Sequence, residues 1–463
     1  MQSLTSLPTE ILHKIIRFAE PESLKTLRQV CRSLGEISKE RLFESITVHA
    51  KEESCDKFTD FLENEDRDCL HLVTKVYLDL SAFEYDGYRV YNYGIWEGPR
   101  EKTFRRFLRL FSRLKELPRL RSIVLGFYPE SPGGVDGVLD VPYTLGIRSA
   151  AIKEFLSVIT TLPQVPQELA FRELLNVNES NQDEVEQIEK VLQNLRSLRL
   201  NITNPHNWGD PETTLHHDDM HTFFSTLPSF WLKPALQILE HLTIYSNVYF
   251  GYYPKLDLRG VHFPRLRTLA LGKYAFVHDS QLDWILSHRD TLTELYLDDC
   301  TILWAVAPSN KERTYLGEDS YTTHPNLVGR GYATYDTRWH HYFQSFHELR
   351  HLRHFRYGHS EYWRGNTIPF ERETEIIIGM HEESYLTFSD SYAQELSYDY
   401  GAWLRMKWEE GGPLPWIEED QTSLEELLAK IGQRYVIDEA TEHLIDLARE
   451  LRRPRAAVTP IDE

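Results

Sequence analysis

The chain has 463 residues, 41% of them apolar and 26% charged, a composition that belongs to folded protein and excludes a wholly disordered one. Lys and Arg number 51 against 71 Asp and Glu, and the formal charge of −20 sets up a field that opposes nucleic acid and anionic membrane as partners. Four scattered cysteines (Cys31, Cys55, Cys69, Cys300) without a CxxC pair argue against a disulfide framework and against the usual structural zinc site.

Reduced thiols fit the cytoplasm or nucleus. The same location is expected from a start without a basic, then apolar, leader. No apolar run approaches the roughly 20 residues that span a bilayer, so no membrane partner is expected. The length allows two or three domains.

Residues 7–43 read LPTEILHKIIRFAEPESLKTLRQVCRSLGEISKERLF, a set of short helices. Pro8 suits a first helical turn and Glu10 complements its positive end. Ile11, Ile15 and Phe18 form one apolar row, and Leu12, Ile16 and Ala19 form the next. Pro21 is expected to stop this helix. Ser23 is expected to cap another, which carries Leu24, Leu27, Val30, Cys31 and Leu34. Roughly forty residues cannot bury so many apolar side chains without a metal, disulfides or a partner. The surplus predicts a docking face.

The order Leu7-Pro8-x-Glu10-Ile11, then Ile15, Leu24, Leu27, Val30-Cys31-Arg32 and Leu42-Phe43, resembles the F-box. The family usually places Trp or Tyr near the end, where Leu42 and Phe43 stand here. The resemblance implies binding of a Skp-type adaptor and, through it, a cullin–RING scaffold. By position it makes Leu7, Pro8, Ile11, Leu12, Ile15, Leu24, Leu27 and Val30 the candidates for adaptor contact or support. Residues 1–50 carry seven basic and six acidic side chains, so the acidic excess lies downstream and a boundary falls near residue 50.

Seven later segments share apolar residues at i, i+3 and i+5. They are VTKVYLDL (73–80), LRSIVLG (120–126), LRSLRLN (195–201), LEHLTIY (239–245), LRTLALG (266–272), LTELYLDDC (292–300) and LRHFRYG (352–358). The last two apolar positions suit a half-buried strand and the first suits the bend before it. The pattern resembles the leucine-rich repeat, irregularly spaced. Amphipathic stretches at 103–114, 147–160, 184–195 and 279–287 alternate with it. Such repeats must stack to bury their apolar faces. Tyr77, Val124, Arg199, Thr243, Ala270, Tyr296 and Arg356 then point outward from one surface. Of these, Tyr77, Arg199, Thr243, Tyr296 and Arg356 are the candidates for binding a target protein, whose identity the sequence does not disclose.

Two aromatic stretches interrupt the pattern. Long loops and exposed rings often serve contacts, but most rings of both YSNVYFGYY (245–253) and 303–346 are expected to pack down as lids, with 303–346 placed at the rim of the sheet. Residues 409–463 carry 14 acidic and six basic side chains, with helices expected near 423–431 and 438–451.

Catalytic chemistry finds no support. His216, His217 and His221 match no ligand spacing, and His347, His351 and His354 would share one helical face but the repeat frame claims 352–357 as strand. Gly133, Gly134 and Gly137 lack the Lys that follows a phosphate loop. No metal or other cofactor is expected. The fold expected is α+β: an F-box over 1–50, an irregular repeat solenoid over 51–415, and an acidic helical cap or tail over 416–463. The function it implies is a non-catalytic substrate receptor of a Skp–cullin–F-box ubiquitin ligase. A repeat scaffold acting outside degradation, or an enzyme with an aromatic pocket, stays open as an alternative.

Overall fold

In a computed structural model of the chain the described residues are 7–17, 19, 21–63, 69–81, 99–127, 141–178, 182–204, 218–325, 327–360, 372–389, 397–399, 417–437 and 439–452. The expected turn at Gly133–Gly137, and His216 and His217, lie outside them. The chain divides into two compact units: residues 1–173 with 179–195, and residues 174–178 with 196–463.

The first unit opens with three helices, α1 (Thr9–Arg17), α2 (Pro21–Leu27) and α3 (Arg32–Phe43). The Pro8 carbonyl accepts from the Ile11 and Leu12 amides at 3.0 and 3.1 Å and starts α1. Pro21 does not merely end α1. It stands at the first position of α2, where the missing N–H has no helical partner to lose. The single helix expected through Leu34 is two, because the chain becomes extended at Cys31, the N-cap of α3. Gly35 lets the α2 end come close: a Cβ there would sit 3.1 Å from the Arg28 carbonyl.

Helix α3 runs into β1 (Ser45–His49), inside the first fifty residues. Phe43, Ile46 and Val48 repeat the i, i+3, i+5 spacing. Strands β1, β2 (Lys75–Asp79), β3 (Ser122–Gly126) and β4 (Glu168–Leu175) pair in parallel. Ile46, Val76, Ile123 and Leu169 align, as do Val48, Leu78, Leu125 and Phe171.

Strand β4 was not anticipated, because Pro166 holds its first apolar slot. Of the connecting helices, α5 (Pro99–Phe111), α6 (Val141–Ile159) and α7 (Gln182–Leu192) fall on the amphipathic stretches at 103–114, 147–160 and 184–195, while α4 (Glu52–Glu63) lies outside them. Phe107, Phe111, Phe155 and Phe171 form an edge-to-face chain with centroids 5.2–6.1 Å apart.

The second unit repeats this scheme. Strands β5 (Ser197–Thr203), β6 (His241–Phe250), β7 (Thr268–Phe276), β8 (Glu294–Asp298) and, after β9 (Thr301–Ala307) and β10 (Ala333–Thr334), β11 (His354–His359) carry it. The sheet order is β5-β6-β7-β8-β11, all parallel. Leu198, Leu242, Leu269, Leu295 and Phe355 lie side by side and fully buried, as do Leu200, Ile244, Leu271, Leu297 and Tyr357. Helices α8 (Asp218–Leu227) and α9 (Asp279–Leu286) also belong to this unit.

One turn recurs at the strand starts. The residue after the first apolar position offers its carbonyl to two consecutive amides of the next segment. Arg196 O accepts from Glu240 and His241, Glu240 O from Arg267 and Thr268, and Arg267 O from Thr293 and Glu294, at 2.7–3.0 Å. In the first unit Glu44 O, Thr74 O and Arg121 O do the same. The two residues between the first and second apolar positions are thus spent on one shared acceptor.

Most rings of the aromatic stretches pack down, as expected, and those of 303–346 enter the core rather than the rim. Tyr245, Phe250, Tyr252, Tyr253, Trp304, Tyr315, Tyr335, Trp339, Tyr342 and Phe346 are all buried. Trp339 opens α10 (Trp339–Ser345) and packs on Phe276, Tyr342, Phe343 and Tyr357. Strand β12 (Ile377–Ile378) adds antiparallel to β11, while β13 (Tyr385–Ser389) pairs with β9 and with β14 (Ser397–Asp399).

The acidic C-terminal stretch forms α11 (Ile417–Lys430) and α12 (Glu439–Arg452). Asp420 docks α11: fully buried, it accepts from the His340 amide at 2.8 Å and from Tyr385 Oη at 2.6 Å. The final dozen residues, expected as a solvated tail, lie outside the described residues but for Arg452.

Candidate functional site

The first candidate surface is on the N-terminal helices. Leu12, Ile16, Leu24, Leu34 and Ile37 make a small core, with Leu7, Ala19, Leu27, Cys31 and Leu42 packed partly against it. Helical spacing divides the two apolar rows of α1. Leu12 and Ile16 face inward at 4% and 2% exposure, whereas Ile11 and Ile15 remain 40% and 42% exposed and Val30 is 60% exposed. Among the adaptor candidates Pro8, Ile11, Ile15 and Val30 therefore offer surface, and Leu7 and Leu27 are partly buried. Leu12 and Leu24 are core residues, so contact with a partner is corrected to support for them. Of Phe18 nothing is described.

An exposed Ile or Val is ordinary by itself. Here three lie within twenty residues of a unit with few core side chains, which is the surplus that composition predicted. A cavity of about 630 Å³ on the other side of α1 is lined by His13, Glu40, Arg41, Glu44 and Arg119 together with Ile16 and Ile37. Its charges are mixed.

The second candidate surface is the sheet face of the second unit that points away from the leucine rows. Arg199, Thr243, Ala270, Tyr296 and Arg356 align across β5-β6-β7-β8-β11, as expected. Their exposure was expected too, and that part is overturned: Thr243 is 0% and Tyr296 4% exposed, with Arg199 and Arg356 half-buried. The cover is a strap of the same chain, residues 372–378. Glu373 accepts from Arg199 and, at 3.1 Å, from Thr243 Oγ1, with His241 Nε2 4.0 Å away. Ile376, fully buried, packs with Tyr245, Ala270 and Tyr296. Arg356 donates to the Ile376 carbonyl at 2.7 Å. Tyr77, on the first unit's sheet, is half-buried with Lys75 over its ring.

Two glycines make the strap possible. A Cβ on Gly272 would fall 2.7 Å from the Tyr245 ring, which lies across β7 in that space. Gly358, at φ +158°, leaves room for the Ile377 carbonyl, which a Cβ would meet at 1.8 Å. Burial, together with the Glu294 and Glu373 carboxylates, pushes the Tyr296 phenol above its ordinary range. Sequence reading missed Glu373 and Ile376. The only local signal was a short aliphatic run, Ile376-Ile377-Ile378, closed by Gly379.

Among the described residues no group of three or more His, Cys, Asp or Glu is placed to hold a metal ion. Nor is any helix among them long and apolar enough to cross a membrane. None of the four cysteines forms a disulfide with another described residue.

Residues 4–49 match the F-box-like family model, a span that takes in α1–α3 and β1. A search of the curated proteins finds none that matches the chain. The match supports an F-box protein in which a helical N-terminal domain precedes mixed helices and strands.

Proposed function

We propose that this chain is the substrate-recognition subunit of a Skp–cullin–F-box ubiquitin ligase. The N-terminal helices bind a Skp-type adaptor, and the later strands and helices hold a target protein. The observation that carries the reading is the coincidence of the F-box-like match with the exposed apolar side chains Ile11, Ile15 and Val30. The repeat region is read as a leucine-rich-repeat-like solenoid, supported by aligned leucines and the recurring shared-carbonyl turn. The chain would act by proximity, raising the local concentration of a target lysine near a charged ubiquitin carrier, in the cytoplasm or nucleus.

The test is co-purification of the full chain with a recombinant Skp-type adaptor. Ile11→Asp with Val30→Asp changes only exposed positions, so it is expected to abolish the complex while the thermal melt stays in place. Undiminished complex formation by the double variant would overturn the assignment.

A further inference from the structure

The strap crosses the sheet in a way that resembles a bound peptide. Strands are about 4.8 Å apart, so β5 to β11 spans roughly 19 Å. The Glu373 carboxylate sits over β5 and β6, and the Ile376 side chain over β6, β7 and β8. The Ile376 carbonyl meets Arg356 on β11, and Ile377 and Ile378 pair with the β11 edge. Four kinds of recognition are thus laid along one short segment: a charge, an apolar socket, a backbone carbonyl and strand addition. The strap's regular structure is a single turn of 3-10 helix, Glu373–Glu375, and the two residues of β12.

The charge end is built for a carboxylate. Arg199 and Thr243 donate to one oxygen, and Thr243 is held by His241 Nε2 at 3.0 Å. The chain as a whole carries −20, so an arginine turned onto this face runs against its average charge. The socket, Tyr245 with Ala270 and Tyr296, takes a branched aliphatic side chain three positions further on.

We propose that the Glu373–Ile376 strap is a self-ligand on a peptide-binding face, and that an acidic peptide of the partner protein, with a carboxylate followed three residues later by an aliphatic side chain, takes its place. Being tethered, the strap competes at a high effective concentration, so free peptide binds the intact chain weakly. A partner held nearby, or any event that loosens the strap, exposes the face. The inference rests on the reading that the second unit holds the target, but its measurement needs no adaptor.

The probe is a fluorescent synthetic peptide, Arg-Glu-Thr-Glu-Ile-Ile-Ile-Gly, titrated against the full chain. The strap variant Glu373→Ala with Ile376→Ala is expected to bind it at least tenfold more tightly than the natural chain does. Adding Arg199→Ala should remove that gain, as should Gln for the first Glu of the peptide. In the unaltered chain, excess peptide should speed hydrogen exchange at the Ile377 and Gly379 amides, the latter donating to the Tyr357 carbonyl at 3.0 Å, at least tenfold, a readout that does not depend on a variant folding. Equal binding to the two forms, or unchanged exchange at these amides with excess peptide, would overturn the proposal. Loss of adaptor binding by Ile11→Asp with Val30→Asp would leave both readouts where they are, so each reading fails separately.

Discussion

Glu373 and Arg199, 174 positions apart, form an ion pair in which the carboxylate is only 7% exposed and the guanidinium 20%. The two ends of this contact are unequal. Without Arg199, Glu373 stays buried with only Thr243 and His241 beside it, so Arg199→Ala is expected to cost about 3 kcal/mol. Without Glu373, the more exposed Arg199 can still reach water, and Glu373→Ala should cost about 1–2 kcal/mol. Urea unfolding of the two variants checks the order. A larger loss for Glu373→Ala would show that the carboxylate, not the arginine, is the better solvated partner.

Tyr296 and Leu295 point to opposite faces of β8 and both are buried. Leu295→Ala opens a cavity among the aligned leucines and should cost about 2–5 kcal/mol. Tyr296→Ala removes the wall of the Ile376 socket and should also cost about 2 kcal/mol or more, not the few tenths of an outward residue. A melt of Tyr296→Ala that matches the natural chain would mean that the strap does not seal this face.

Gly272→Ala puts a methyl against the Tyr245 ring, which is hemmed in by Ala270, Tyr296 and Ile376. Overpacking of this kind costs about 1–3 kcal/mol. Tyr245→Ala alone leaves a hole and is destabilising as well. Combined, the second methyl enters space already vacated, so the double variant should be less destabilised than the sum. A double-mutant cycle on chemical denaturation measures that coupling, and strict additivity would disprove the clash.

His288 gives a pH dependence with a definite sign. Its Nδ1–H donates to the Trp284 carbonyl at 3.0 Å and its Nε2 accepts from the Phe263 amide at 3.2 Å, which requires the neutral ring. Burial, and secondarily the charge of stacked His262, lowers its pKa to about 4. The unfolded chain binds this proton near pH 6.5, the folded chain only near 4. Stability from His288 is therefore complete above about 6.5 and is lost as pH falls to about 4, on the order of 3 kcal/mol in all. The stability gap between the natural chain and His288→Gln should narrow over that interval. A gap that widens on acidification would reverse the assignment of the ring's protonation.

Much of the strand frame was legible because it depends on period alone. Leu266, Leu269 and Leu271 declare a bend and two inward strand positions, and the same triplet at Leu292, Leu295 and Leu297 declares the neighbour. The reading failed where Pro166 holds the first slot before β4, and it passed over Phe43, Ile46 and Val48 of β1 because that triplet lies inside the segment assigned to the N-terminal helices. The aromatic stretches were legible as rings that mostly pack down, but not as to where they pack. Tyr252, Trp304 and Trp339 are apolar over most of their area, and whether a ring packs inward or lines a rim depends on what lies above it.

The sequence by itself determined the N-terminal helices, the apolar surplus upon them and which strand residues alternate in and out, since these follow from spacing along one short stretch of chain. Tertiary structure alone decided which apolar row of α1 is core, that Thr243 and Tyr296 lie under a cover, and that Glu373 is the partner of Arg199. Pairing across 174 positions leaves no local period to read. It costs loop-closure entropy that only the assembled sheet, presenting Arg199, Thr243, Tyr296 and Arg356 in one register, can offset.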